Sequence, residues 1–143
     1  MTPPPEASLS KAEKQAVRER AAELKASQKR DRLEKDVLAK IAEMREDERV
    51  IAMRIHEIVR DVAPELTAKT WYGQPAYANP EGQVVVFFQA ASKYDQRYST
   101  LGFNEAARLD DGTMWPTSYA VTGLSRADEK TIAELVRRAA AQP

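Results

Sequence analysis

Cysteine is absent from the 143 residues and histidine occurs once. Without thiols the chain has no disulfide, no thiolate nucleophile and no cysteine-ligated zinc, and the redox state of its compartment does not affect it. That suits a cytoplasmic protein. His56 has no second histidine four residues along, as a zinc-binding helix would, and Ser92, Ser99 and Ser118 stand outside any Gly-x-Ser-x-Gly elbow. A glycine-rich phosphate loop and a Walker lysine are also missing, so catalysis ranks last and no enzyme is expected. Neither sign of charge prevails. The 22 basic and 22 acidic residues cancel, which removes the long-range field of a dedicated binder of nucleic acid or of an anionic membrane. No apolar run approaches spanning length, and Met1 to Glu6 lack the features of an export signal, so a soluble, unexported chain is expected.

Aromatic residues are missing from both flanks. Every one lies between Trp71 and Tyr119. Such side chains bury large areas and suit pleated surfaces, so the middle of the chain should hold the β-structure and most of the core. Before it, residues 1 to 9 read as a disordered Pro-rich leader. Ser10 to Glu13 form a capping box that opens a charged helix, whose large apolar residues up to position 35 are Val17, Leu24 and Leu33. The basic residues Lys25, Lys29, Arg30, Arg32 and Lys35 are interrupted by Asp31 and Glu34 and read as a solvated helix face. We therefore divide the chain into a leader with helical extension, 1 to 35, and a domain, 36 to 143.

Within the domain, Asp36 is expected to cap a short helix bearing Val37, Ile41 and Met44. Asp47 should cap a longer one with the stripe Ile51, Ile55, Ile58 and Val62, stopped by Pro64. A helical turn is expected over 64 to 68. Asn79 to Gly82 is turn chemistry between two extended runs, Ala76 to Ala78 and Val84 to Phe88, which predicts an antiparallel hairpin. Further strands are expected over 97 to 103 and 118 to 121, and Ser125 opens a last helix with Ile132, Leu135 and Val136. Helices, then strands, then a helix predict an α+β domain: an antiparallel sheet of about four to five strands packed with N- and C-terminal helices.

The run from Ala63 through Trp71, Tyr72, Gly73, Gln74 and Pro75 to Tyr77, with Arg97 to Phe103 and Leu109 to Thr117, resembles the YdhG-like family of small bacterial domains. The resemblance covers about positions 36 to 140. It implies a frataxin-like α+β fold and, by the label some relatives carry, an iron-chaperone-like role. It implies no catalytic residues.

Two binding sites can be drawn from the residues. Trp71, Tyr72, Tyr77 and Trp115 are candidates to wall a concave pocket for a small molecule, with Gln74 and Lys93 as polar contacts. The bland alternative is that these rings fill the core. Iron, the only cofactor suggested, would need hard oxygen ligands, for which Glu105, Asp110 and Asp111 are the candidates, helped by Asp95 or Glu81. Asp110 and Asp111 read equally as a solvated turn. His56 reads as a surface or partly buried structural residue whose replacement by Gln should change folding little. A competing function is a protein-interaction domain in which the charged N-terminal helix recognises a partner. The sequence leaves room for a homodimer.

Overall fold

The computed structural model describes residues 9 to 141. Its elements are α1 (Lys11–Ala42), α2 (Glu46–Val62), β1 (Thr67–Trp71), β2 (Gln74–Ala78), β3 (Val84–Gln89), a 3-10 turn (Ala91–Tyr94), β4 (Ser99–Phe103), β5 (Ser118–Val121) and α3 (Arg126–Ala139). Apart from Leu9, the Pro-rich leader lies outside the described residues. The chain divides into two compact units after Arg32. In the first unit Ser10 caps α1 as expected, its hydroxyl accepting from the Glu13 amide at 3.1 Å. Val17 and Leu24 there are 58% and 60% exposed. The second unit starts a few residues before the boundary read from the sequence, because Leu33 and Glu34 are already half-buried.

The second unit is α+β. Five antiparallel strands lie side by side in chain order, β1-β2-β3-β4-β5. The apolar stripe of α2 (Ile51, Ile55, Ile58) shares one core with Val37 and Ile41 of α1 and with Ile132 and Val136 of α3. That core also takes in Tyr77, Val86, Phe88, Leu101 and Val121 from the sheet. All three helical segments therefore cover the same sheet face. Each large apolar side chain buried there contributes about 1.5–3 kcal/mol relative to exposure.

Alternation and register assign the two faces. Ala68, Tyr77, Val86 and Phe103 pair across the sheet, as do Phe88, Leu101 and Tyr119, and these rows meet the helices. The opposite face carries the row Lys69, Ala76, Phe87, Gly102 and Ser118, and beside it Trp71 with Gln74 and Gln89 with Thr100. The expected hairpin over 76 to 88, the strand over 118 to 121 and the capping box at Ser125 are all present.

Three local expectations are corrected. Asp36 lies inside the unbroken α1 and caps no separate helix, since nothing between Leu33 and Val37 interrupts the backbone ladder. Asp47 does not cap α2; Arg45 holds that position without a side-chain cap, and Asp47 in the first turn receives the Arg45 guanidinium at 2.7 Å. Residues 64 to 68 do not make a helical turn throughout: after one turn closed by Leu66 N–H to the Ala63 carbonyl, Thr67 starts β1. The β-favouring residues Thr67, Thr70 and Trp71 pair with β2.

Candidate functional site

The tightest hairpin in the sheet joins β1 to β2 through Tyr72 and Gly73. Both have positive φ, 52° and 73°, the combination that matches a two-residue loop to the twist of its strands. Gly73 accepts this conformation without strain. Tyr72 is a bulky residue in the left-handed region, and its ring is 75% exposed. The Trp71 ring meets Tyr72 edge-on at 4.8 Å and Phe87 at 5.1 Å. Phe87 in turn lies over Gly102, where a Cβ would come within 2.2 Å of the ring. The result is an aromatic ledge on the sheet face opposite the one that packs against α2 and α3.

Polar groups border the ledge. Gln74 is buried to 5% exposure and its Oε1 faces no donor among the described residues. The Lys93 ammonium donates to the Tyr72 carbonyl, tying the 3-10 turn to the hairpin tip. That turn is itself anchored: Glu48, buried to 2%, accepts from the Ser92 amide at 2.8 Å and from its hydroxyl at 2.6 Å, with Arg45 at 3.4 Å. Arg97 lies 5.3 Å from the Tyr98 ring centroid. Of the residues proposed from the sequence, Trp71, Tyr72, Gln74 and Lys93 thus come together.

Tyr77 and Trp115 do not join them. Tyr77 is three positions beyond Gln74, so strand alternation turns it to the helical face, where it is 1% exposed. Trp115 packs against the same helical core. Sequence reasoning missed Phe87 and Gly102, although a glycine within a strand next to an apolar run is a signal of close approach. It also missed Glu48, whose burial depends on a partner far along the chain.

The helical face holds a polar chain of its own. The Tyr77 hydroxyl and His56 Nδ1 are 2.9 Å apart, His56 Nε2 and Glu34 are 2.9 Å apart, and the Arg60 guanidinium reaches the same Glu34 oxygen at 3.0 Å. Burial lowers the His56 pKa below its ordinary value, against the raising effect of Glu34. Burial likewise raises that of the Tyr77 phenol. A neutral imidazole that donates through Nε2 and accepts at Nδ1 satisfies both partners.

Comparison with protein-family models, with curated proteins and with solved structures yields no match.

The acidic candidates are not assembled into a site. Among the described residues no three His, Asp or Glu side chains are placed to share a metal ion. Glu105 and Glu81 line a cleft of about 560 Å³ together with Arg108, whose positive charge opposes a cation, while Asp110 and Asp111 are exposed and do not line it. Backbone geometry accounts for this, since neighbours at a Gly112 turn with φ 66° present their side chains to solvent. A separate cleft of about 1090 Å³ flanks α2, with Val50, Met53 and Leu124 in its lining. Among the described residues no helix is long and apolar enough to cross a membrane.

Proposed function

We propose that the second unit is a non-catalytic, cytoplasmic domain of YdhG-like kind that binds a small molecule at the aromatic ledge, through Trp71, Tyr72, Gln74 and Lys93 joined by Phe87. The observation that carries this reading is the Gln74 Oε1: a buried acceptor without a donor among the described residues costs about 1–3 kcal/mol, and Gln74 pairs in register with the half-buried Trp71, two positions from the exposed Tyr72, where a ligand could supply the missing N–H. Iron is the weaker half of the original expectation, because the acidic side chains do not converge. The kinship itself rests on the residue runs quoted above.

The test is a thermal-shift screen against a metabolite panel, followed by fluorescence titration of a Trp115→Phe protein in which Trp71 is the only indole. A saturable shift lost on Trp71→Ala supports the reading. Absence of any shift, together with a higher melting temperature for Gln74→Leu, would leave the ledge as a packing feature.

The competing reading, a protein-interaction module, is favoured by one observation: Val17 and Leu24 on α1 remain exposed. Deleting residues 1 to 32 separates the two. Loss of a captured partner with unchanged ligand binding assigns the helix to interaction and the ledge to the ligand.

A further inference from the structure

The charge and shape of the ledge narrow the class of ligand. None of the five strands contains an acidic residue, and the one charge they carry, Lys69, lies on the ledge face in register with Ala76 and Phe87. Lys93 and Arg97 add two cations near the hairpin end, against the single carboxylate of Asp95 within residues 84 to 103. In a chain whose total charge is zero, this face is locally positive. The Trp71 and Phe87 rings sit at 51° to each other and Tyr72 stands at 72° to Trp71, so a flat ring laid on Trp71 would have the Tyr72 ring beside it. Gln74 faces Trp71 across the β1–β2 ladder, and its carbonyl has no hydrogen-bond donor among the described residues. Lys93, held at the Tyr72 carbonyl, keeps two further N–H groups for an anion.

A planar ring to stack, an N–H donor for Gln74 and an anion for the lysines together describe one kind of molecule. We infer that the ledge binds a free nucleotide, its base stacked on Trp71 with an amino or imino N–H directed to Gln74, and its phosphate met by Lys93 and Lys69. The inference rests on the small-molecule reading above. The same chemistry occurs in single-stranded nucleic acid, but a net charge of zero lacks the field that draws a polyanion. The free nucleotide is therefore the occupant we assign. Tyr72 fits this role better than a structural one: glycine or asparagine would hold the turn with less strain, yet the position carries an exposed ring.

Titration of the full-length Trp115→Phe protein with AMP, GMP, CMP and UMP, with the matching uncharged nucleosides and with single-stranded RNA decamers, monitored by Trp71 emission, tests the inference. Saturable quenching by at least one nucleotide is expected, weaker by about tenfold or more in Tyr72→Ala, since loss of a stacking side chain has effects of that order. Lys69→Ala and Lys93→Ala should each weaken the nucleotide by a larger factor than the matching nucleoside, and Gln74→Leu should abolish preference among bases. Circular dichroism of each variant separates lost binding from lost folding. Nucleosides binding as well as nucleotides would overturn the phosphate assignment and leave the small-molecule reading intact. Decamers binding much more tightly than mononucleotides, with a steep salt dependence, would overturn the free-nucleotide assignment in favour of a polymer. No quenching by any of these probes, while another metabolite shifts the melting temperature, would reject the nucleotide alone; no response to any compound would reject both.

Discussion

The Tyr77 hydroxyl meets Nδ1 of His56 at 2.9 Å, and the far nitrogen of the same ring meets Glu34 at 2.9 Å. One imidazole, itself 4% exposed, therefore links β2 to α2 and α2 to α1. The linkage reverses the expectation that replacing His56 would scarcely affect folding. Tyr77→Phe leaves a buried nitrogen without its donor and should lower the unfolding free energy by about 1–3 kcal/mol, measured by urea titration. His56→Gln should cost a similar amount, because one amide cannot span both partners.

The same ring sets a pH dependence. Burial depresses the folded-state pKa of His56 below the 6.5 of the unfolded chain, so between those two values the unfolded state binds the extra proton. The contribution to stability is complete above pH 6.5 and declines as pH falls from there toward the folded-state value. Glu34 and Glu57 act against the depression and Arg60 reinforces it. Melting temperatures between pH 7.5 and 5 should fall for the wild type and change less for His56→Gln, once both are compared at the upper pH.

Gly102 is needed for its lack of a side chain. A Cβ there would lie 2.2 Å from Cζ of Phe87 and 2.5 Å from Cε1, so Gly102→Ala must push the ring off its strand. A loss of about 1–3 kcal/mol is expected from overpacking, together with a changed Trp71 emission as the neighbouring ring moves. Chemical denaturation and fluorescence of the Trp115→Phe background measure both.

Tyr72 should show the opposite balance. Tyr72→Gly removes a side chain from a left-handed position and is expected to leave stability unchanged or raise it by up to about 1 kcal/mol, while the proposed nucleotide binding weakens by about tenfold or more, as for Tyr72→Ala. Thermal melts and nucleotide titrations of the same variant read the two effects. A clear drop in stability would show that the edge-on contact with Trp71 outweighs the backbone cost.

Much of the architecture could be read from residue pattern alone. The Ile51, Ile55 and Ile58 stripe declared α2, the doubly apolar run from Val84 to Phe88 declared a central strand, and Ser125 with Asp128 declared the start of α3. These signals are local. The first strand was hidden because Pro64 and Glu65 read as a helix stop with a trailing turn, while the pairing that makes β1 a strand belongs to residues 74 to 78. Of the six residues drawn together from the sequence, Trp71, Tyr72 and Gln74 are neighbours because they flank one turn, and Lys93 joins them through the Tyr72 carbonyl. Tyr77 and Trp115 do not, since the face a side chain takes depends on register and on which layer the helices cover. Glu34 precedes the boundary that the apolar pattern from Val37 suggests, yet its carboxylate reaches a histidine 22 positions away.

Because the strands lie in the sheet in the order in which they occur in the chain, each newly made segment finds its partner in the one synthesised just before it. No strand has to wait for a distant neighbour, which keeps loop closure short and folding fast. During translation the sheet can zip forward from the first hairpin onward. Because α3 follows the sheet in the chain and packs against α2 and β3, a nascent chain stalled before Arg126 would present a paired sheet whose apolar side still lacks one of its covers.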